Sequence, residues 1–196
     1  MILNDRSSTL ALLETRRSGR PREMVAPGPS EVELERILTI AARTPDHGKL
    51  FPWRFVTVAA DQRDALAALL REALVEHDSA ATAAHFAKAE EFARQAPSLV
   101  VLVSAPIPDH KIPLWEQQLS CGAAAMNLLL AAHALGYVGG WITGWATYSE
   151  RVRTAFCGPG ERIAGFIFLG RPGAPLEERP RAPLATVARA WVPPPT

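Results

Sequence analysis

The sequence predicts an α+β fold, and three observations carry that prediction. Ser98-Leu99-Val100-Val101-Leu102-Val103-Ser104 is a continuous apolar run rich in Val, the pattern of a central strand buried on both faces. Trp115 to Gly136 is a long helical stretch that is apolar nearly all round, so it must be buried, either in a large core or against another subunit. Around these two segments helices and strands are mixed without regular alternation, which favours α+β over a doubly wound sheet.

The other elements follow along the chain. Thr9 to Arg17 reads as a short helix carrying Leu10, Leu12 and Leu13, ended by Gly19 and Pro21. Pro21 to Pro29 is loop. Ser30-Glu31-Val32-Glu33 matches a capping box, and the helix it opens presents Leu34, Ile37, Leu38 and Ala41 before stopping ahead of Pro45. Arg54 to Ala60 is a strand. Gln62 to Glu76 and Ala80 to Gln95 are helices, the second ended by Pro97. Pro106 to Pro113 is a connecting loop. Tyr137 to Thr143 is a short strand after the Gly136 stop. Thr147-Tyr148-Ser149-Glu150 is a second capping box, opening a helix to Cys157 with Gly158 as its C-cap. Ile163 to Leu169 is the last strand. From about Gly170 onward Pro172, Pro175, Pro180, Pro183 and Pro193-Pro194-Pro195 make an extended tail that must lie on something to be held.

Composition narrows the function. The 196 residues are 48% hydrophobic and 21% charged, which fits one compact domain spanning 1–196. A net charge of +1 gives no global attraction to nucleic acid or to an anionic membrane, so any anion site is local. Two cysteines, Cys121 and Cys157, without a CxxC, argue against a disulfide scaffold or a structural zinc, and the five histidines lack metal-ligand spacing. The longest apolar stretch, Cys121 to Leu135, contains Asn127 and His133 and is too short and polar for a membrane span. No apolar leader segment is visible near the start, and a soluble cytoplasmic protein is expected.

Two basic loops lie beside apolar elements. Arg16-Arg17-Ser18-Gly19-Arg20 reads either as solvated arginines favouring a helix C-terminus or as a phosphate site, where Arg offers planar paired donors and Ser18 a hydroxyl. No GxGxxG or GxxxxGK[ST] loop is present, which argues against a Rossmann or P-loop site. Arg43 to Trp53 packs Arg43, Asp46, His47 and Lys49 between prolines at the mouth of a strand. It is either a rigid connector or a wall for a planar heterocycle with polar edges, where a cation stabilises an anionic reduced flavin. Gly136-Tyr137-Val138-Gly139-Gly140-Trp141-Ile142-Thr143-Gly144 is either a tight turn or backbone that closely approaches a flat ligand. Cys121, with His47 as a conceivable base, is the remaining nucleophile, but no familiar signature surrounds it and packing is the better reading.

In this order the segments resemble the FMN-dependent nitroreductase family, closest to its short branch of proposed NAD(P)H nitroreductases. The resemblance runs through Arg16-Arg17-Ser18, Ala42-Arg43-Thr44-Pro45-Asp46-His47 and Pro52-Trp53-Arg54-Phe55. It continues through Lys111-Ile112-Pro113-Leu114-Trp115-Glu116-Gln117 and the Gly139-Gly140-Trp141 turn to Phe168-Leu169-Gly170-Arg171-Pro172. It implies a nitroreductase-like α+β homodimer, with a central, mostly antiparallel sheet flanked by helices and the long helix at the dimer interface. Two FMN sites would lie at that interface. Arg16 and Ser18 match residues that hold the phosphate and ribityl chain, with Arg17 between them and Arg20 at an often basic position. Arg43 and His47 match FMN positions of the short branch. Trp141, Ile142 and Thr143 match a segment offered to FMN by the partner subunit. Arg171 lies in the closing motif, and Arg179 and Arg181 resemble a late basic pair that reaches the phosphate. The stretch Ala131, Ala132, His133, Ala134, Leu135 and Gly136 matches one credited with nicotinamide binding.

Lys49 and Phe51 stand where many relatives have Asn and Gln. Lys49 still donates toward a flavin while Phe51 does not hydrogen-bond. Ile142 replaces an Arg common in the branch. The implied activity takes hydride from NADH or NADPH onto FMN and passes it to a small acceptor such as a nitroaromatic or quinone. No side-chain nucleophile, nucleic acid, membrane or metal is involved. The rival expectations are a Cys121/His47 acyl-transfer enzyme and a flavin-binding protein without turnover.

Overall fold

The long strand Arg162–Pro172 (β5) organises the molecule. On one side it pairs with Ser98–Ser104 (β3), which in turn pairs with Trp53–Val58 (β2); on the other it pairs with Val138–Ile142 (β4). Met24–Val25 (β1) joins the C-terminal end of β5. All pairings are antiparallel. The computed structural model of the chain describes residues 2–194, so Met1, Pro195 and Thr196 lie outside the described residues.

β3 is central as expected, with Leu99 through Val103 buried between two helical layers. One layer is Glu31–Ala41 (α2) and Leu114–Ala134 (α5), whose Ile37, Ala41, Ala124, Ala125 and Leu128 pack on Val100, Leu102, Ile167 and Leu169. The other is Arg63–His77 (α3), Ala83–Arg94 (α4) and Glu150–Phe156 (α7), with Leu66, Leu70, Ala93 and Val152 on Val101, Phe166 and Phe168. The alternation of β3 and β5 residues between the two clusters follows from the period of two along a strand. Thr9–Thr15 (α1) precedes the sheet and ends two residues earlier than expected, at a C-cap on Arg16.

Ser30 caps α2 as its sequence predicts. Its hydroxyl accepts from the Glu33 amide at 3.3 Å while the Glu33 carboxylate accepts from the Ser30 amide at 2.9 Å. The second expected box is not the start of a helix at Thr147. Trp145–Tyr148 is a short helix of its own (α6), Thr147 accepts from Gly144, and Ser149 is the N-cap of α7. The two-residue β1 falls inside the expected loop because it is too short to show alternation; Met24 is buried and Val25 exposed. β5 runs on through Gly170, Arg171 and Pro172 of the expected tail; beyond it the described residues are irregular except for Leu184–Val187 (α8), and none of them is buried.

α5 is apolar all round but not buried all round. Gln117, Ser120, Cys121, Ala124, Leu128 and Ala132 face the core, while Trp115 and Leu119 are 67% and 53% exposed and Gly122, Ala123, Met126 and Leu130 are half-buried. No helix among the described residues is long and apolar enough to cross a membrane.

Candidate functional site

The segment after α1 runs along the outer edge of β4. The Gly19 amide donates to the Gly139 carbonyl at 3.2 Å. This approach needs glycine: a Cβ on Gly140 would stand 2.8 Å from the Gly19 carbonyl oxygen, and one on Gly139 would stand 2.5 Å from Leu129 Cδ2. The glycine pair therefore seats the arginine segment against β4 within one subunit.

Arg16 Nη1 donates to Ser18 Oγ at 3.4 Å. Burial, then the neighbouring charges of Arg181 and Arg17, hold the Arg16 guanidinium below its ordinary pKa, and only Glu178 acts the other way. Arg181 Nη2 donates to the Arg16 carbonyl at 3.1 Å and pairs with Glu178 at 2.8 Å, so the tail brings this cation, with its own carboxylate partner, to the cluster. Arg17 and Arg20 are engaged otherwise: Arg17 Nε donates to the Glu177 carbonyl at 2.6 Å, and Arg20 pairs with Glu23 at 3.0 Å and Glu177 at 3.1 Å. Arg16 enters no ion pair among the described residues. A half-buried, unneutralised guanidinium beside a second one is suited to an anion. Arg179 is exposed nearby in sequence. Arg171 is not available to this cluster, because it donates to the Gly136 carbonyl at 2.5 Å and stacks 4.2 Å from the Tyr137 ring.

Beyond the glycine pair, Trp141 covers a β-bulge. The β3 and β5 registers shift between Leu102 and Val103, leaving Ala164 without a partner in β3, and Trp141 Nε1 donates to the Ala164 carbonyl at 3.0 Å. The indole lies over Gly165, where a Cβ would stand 2.1 Å from Nε1. Bulges of this kind aim side chains near functional sites. Ile142 is half-buried against the α3/α4 layer and Thr143 is exposed. Just before β4, Ala131, Ala132 and His133 are buried, Ala134 is exposed, and Leu135 and Gly136 are half-buried, so only the end of this stretch offers surface to a ligand.

The loop Arg43 to Trp53 is strung onto α5. Asn127 Nδ2 donates to Thr44 Oγ1 at 2.7 Å and to the Arg43 carbonyl at 3.3 Å. Ser120 Oγ donates to the Pro45 carbonyl at 2.6 Å, and His47 Nδ1 meets Glu116 Oε2 at 2.8 Å. Asp46 closes the loop, accepting from the Phe51 amide at 2.8 Å on its carboxylate and from the Lys49 amide at 3.3 Å on its carbonyl. Gly48, Lys49 and Phe51 have φ of 84°, 55° and 50°. Left-handed backbone at Lys and Phe is held only where surrounding bonds impose it. It leaves Phe51 69% exposed, and Arg43, His47 and Lys49 are exposed too. This loop enters β2 at one edge of the sheet, while the arginine segment lines β4 at the other. The chain thus gathers Arg16, Ser18, Arg181 and the Trp141 turn, and keeps Arg43, His47 and Lys49 apart from them. Glu116, Ser120 and Asn127 were not anticipated as anchors; their signal is the recurrence of polar residues at helical spacing on an apolar helix.

Cys121 is 2% exposed and its thiol is pushed up to about 11, chiefly by burial. With His47 committed to Glu116 on the surface, no thiolate–imidazole pair forms. Among the described residues no group of His, Cys, Asp and Glu could hold a metal ion.

The chain matches the Nitroreductase family over residues 13–171. It is 38% identical over 163 residues to a Haemophilus influenzae protein named as a proposed NAD(P)H nitroreductase, covering 82% of this chain and 86% of that one. Its structure is similar to that of a nitroreductase-like family protein from Bacillus cereus, with a TM-score of 0.79 and 20% identity over 94% and 96% of the two chains. It is also similar to a nitroreductase with bound FMN from Bacteroides fragilis, with a TM-score of 0.67 and 21% identity over 93% and 98%.

Proposed function

The chain belongs to the nitroreductase family, and from that premise we propose that it is an FMN-dependent oxidoreductase. It takes hydride from NADH or NADPH and reduces a nitroaromatic, a quinone or a similar small acceptor. FMN supplies the two-electron chemistry when bound. The observation that carries this reading is the pairing of Gly19 with Gly139, which sets the unneutralised Arg16 beside a backbone strip free of side chains.

In this reading Arg16 and Ser18 hold the phosphate, and Arg181, with Arg179, adds positive charge from the tail. Arg17 and Arg20 act by tying that tail down. Gly140, Trp141, Ile142 and Thr143 would supply backbone contacts to the flavin, with Trp141 held in place by its bond to the Ala164 carbonyl. Arg43, His47 and Lys49, at the opposite edge of the sheet from β4, would approach that flavin from a second copy of the chain. The stripe of Trp115, Leu119, Met126 and Leu130 on α5 supports a homodimer, since it leaves apolar surface to be covered. A nicotinamide would meet only the Ala134-Leu135-Gly136 end of its expected segment. The chain acts as one domain, in the cytoplasm.

The visible spectrum of the purified protein tests the proposal. A yellow protein whose flavin absorbance bleaches on anaerobic addition of NADPH, and returns with a nitroaromatic or quinone, is the expected result. A colourless protein that takes up no added FMN would overturn it.

A further inference from the structure

Between α3, α4 and the segment from Ile142 to Thr147 lies a cavity of about 600 Å³ that meets the residues assigned to FMN only at Ile142 and Thr143. Leu70, Leu74, Ala89 and Phe166 are buried in its wall, and Phe92 closes it edge-on to Phe166. Ala89 and Ala146 are small at positions facing the space, so the layer does not fill itself. At the mouth the His77 ring stacks on the Trp145 indole, with centroids 5.4 Å apart and planes 24° from parallel, which makes a flat aromatic wall. The rim carries two further charges. Asp78 Oδ1 accepts from the Ala80 amide at 2.9 Å, and its Oδ2 stands 3.9 Å from His85 Nδ1, which itself accepts from the Thr82 amide at 3.3 Å. Lys88 enters no ion pair among the described residues and stands exposed on α4.

A slot of this volume, apolar inside, with one flat wall and, at the rim, an unpaired Lys88 ammonium beside a carboxylate bonded to backbone, lies within the size range and chemistry of small-molecule sites. The aromatic wall selects a planar ring system and the ammonium selects an anionic substituent. We propose that this cavity binds a planar aromatic anion of one or two fused rings, with its rings between Trp145 and the aliphatic wall and its charge at Lys88. The site is separate from the Arg16 cluster; Ile142 and Thr143 are the boundary it shares with the turn assigned to FMN.

The test is calorimetric titration of the protein as purified with 2-naphthoate, with saturation-transfer NMR on the probe and the flavin absorbance followed in parallel. Wild-type protein binds 2-naphthoate without releasing flavin. Lys88→Glu weakens it by about tenfold or more, while the affinity for neutral 2-naphthalenemethanol stays within about threefold of wild type. Trp145→Leu weakens both probes, and Ala89→Phe, checked for fold by circular dichroism, abolishes both by filling the slot. The proposal is overturned if 2-naphthoate does not bind, if it binds only by displacing flavin, or if Lys88→Glu and Trp145→Leu bind it as wild type does. A colourless protein is titrated in the same way, so failure of the FMN reading and failure of this one are read separately.

Discussion

The amide of Gly19 donates to the carbonyl of Gly139 at 3.2 Å, and this bond joins the arginine segment to the edge of the sheet. The adjacent Gly140 has no room for a side chain on that side, since its Cβ would stand 2.8 Å from the Gly19 oxygen. Gly140→Ala should push the segment outward and weaken FMN retention by about tenfold, or about 1.4 kcal/mol. Gel filtration followed by flavin absorbance measures this. Retention equal to wild type would separate the glycine pair from the cofactor.

Arg16→Ala should weaken FMN binding by roughly 1.5–3 kcal/mol, the range for a hydrogen bond to a charged group. Arg20→Ala should do far less, because Arg20 is exposed and already paired with Glu23 and Glu177, and such solvent-screened surface pairs contribute little. Fluorescence titration of both variants with FMN makes the comparison. Equal losses would place Arg20 in the phosphate site as well.

Cys121→Ser should leave NADPH oxidation per folded molecule unchanged. A thiol raised to about 11 by burial is almost wholly protonated at neutral pH, so it has no nucleophilic role to lose. The substitution should still lower stability by about 1–3 kcal/mol, since it puts a hydroxyl where a thiol packs. Loss of activity at full folding would revive the thiol mechanism.

His133 should make stability fall with acid. It is fully buried, and burial, then the charge of Arg16, depresses its pKa to about 4. Its Nε2 accepts from the Gly139 amide at 3.2 Å, which the protonated ring could not do. The unfolded chain binds a proton near pH ~6.5 and the folded chain does not until about 4, so stability is full above the higher value and declines between the two. The loss by pH 4 is about 3 kcal/mol for this group. Urea unfolding between pH 4.5 and 7.5 checks it, and His133→Gln should flatten the slope.

The central strand, the capped α2 and the long α5 were legible because burial and capping write themselves into local residue order. The basic segment and the glycine turn were legible as separate pieces. Their contact was not, because Gly19 and Gly139 are far apart in sequence and meet through backbone alone. The β1 strand and the Ser149 cap were missed for the opposite reason: two residues carry no period, and Thr147 and Ser149 both offer a capping hydroxyl. Arg171 shows the limit of motif matching, since its charge is spent on the Gly136 carbonyl and the Tyr137 ring.

α5 carries anchors along its length: Glu116, Ser120 and Asn127 grip the Lys49 loop, and His133 grips Gly139. The helix is therefore a common shaft for two pieces of surface at opposite edges of the sheet. Their spacing is set by helical rise, about 1.5 Å per residue, and not by the loops themselves. A single inserted residue between Asn127 and His133 would rotate one end by about 100° relative to the other. Drift in the loops is tolerable to such a molecule; a change in the length of that helix is not.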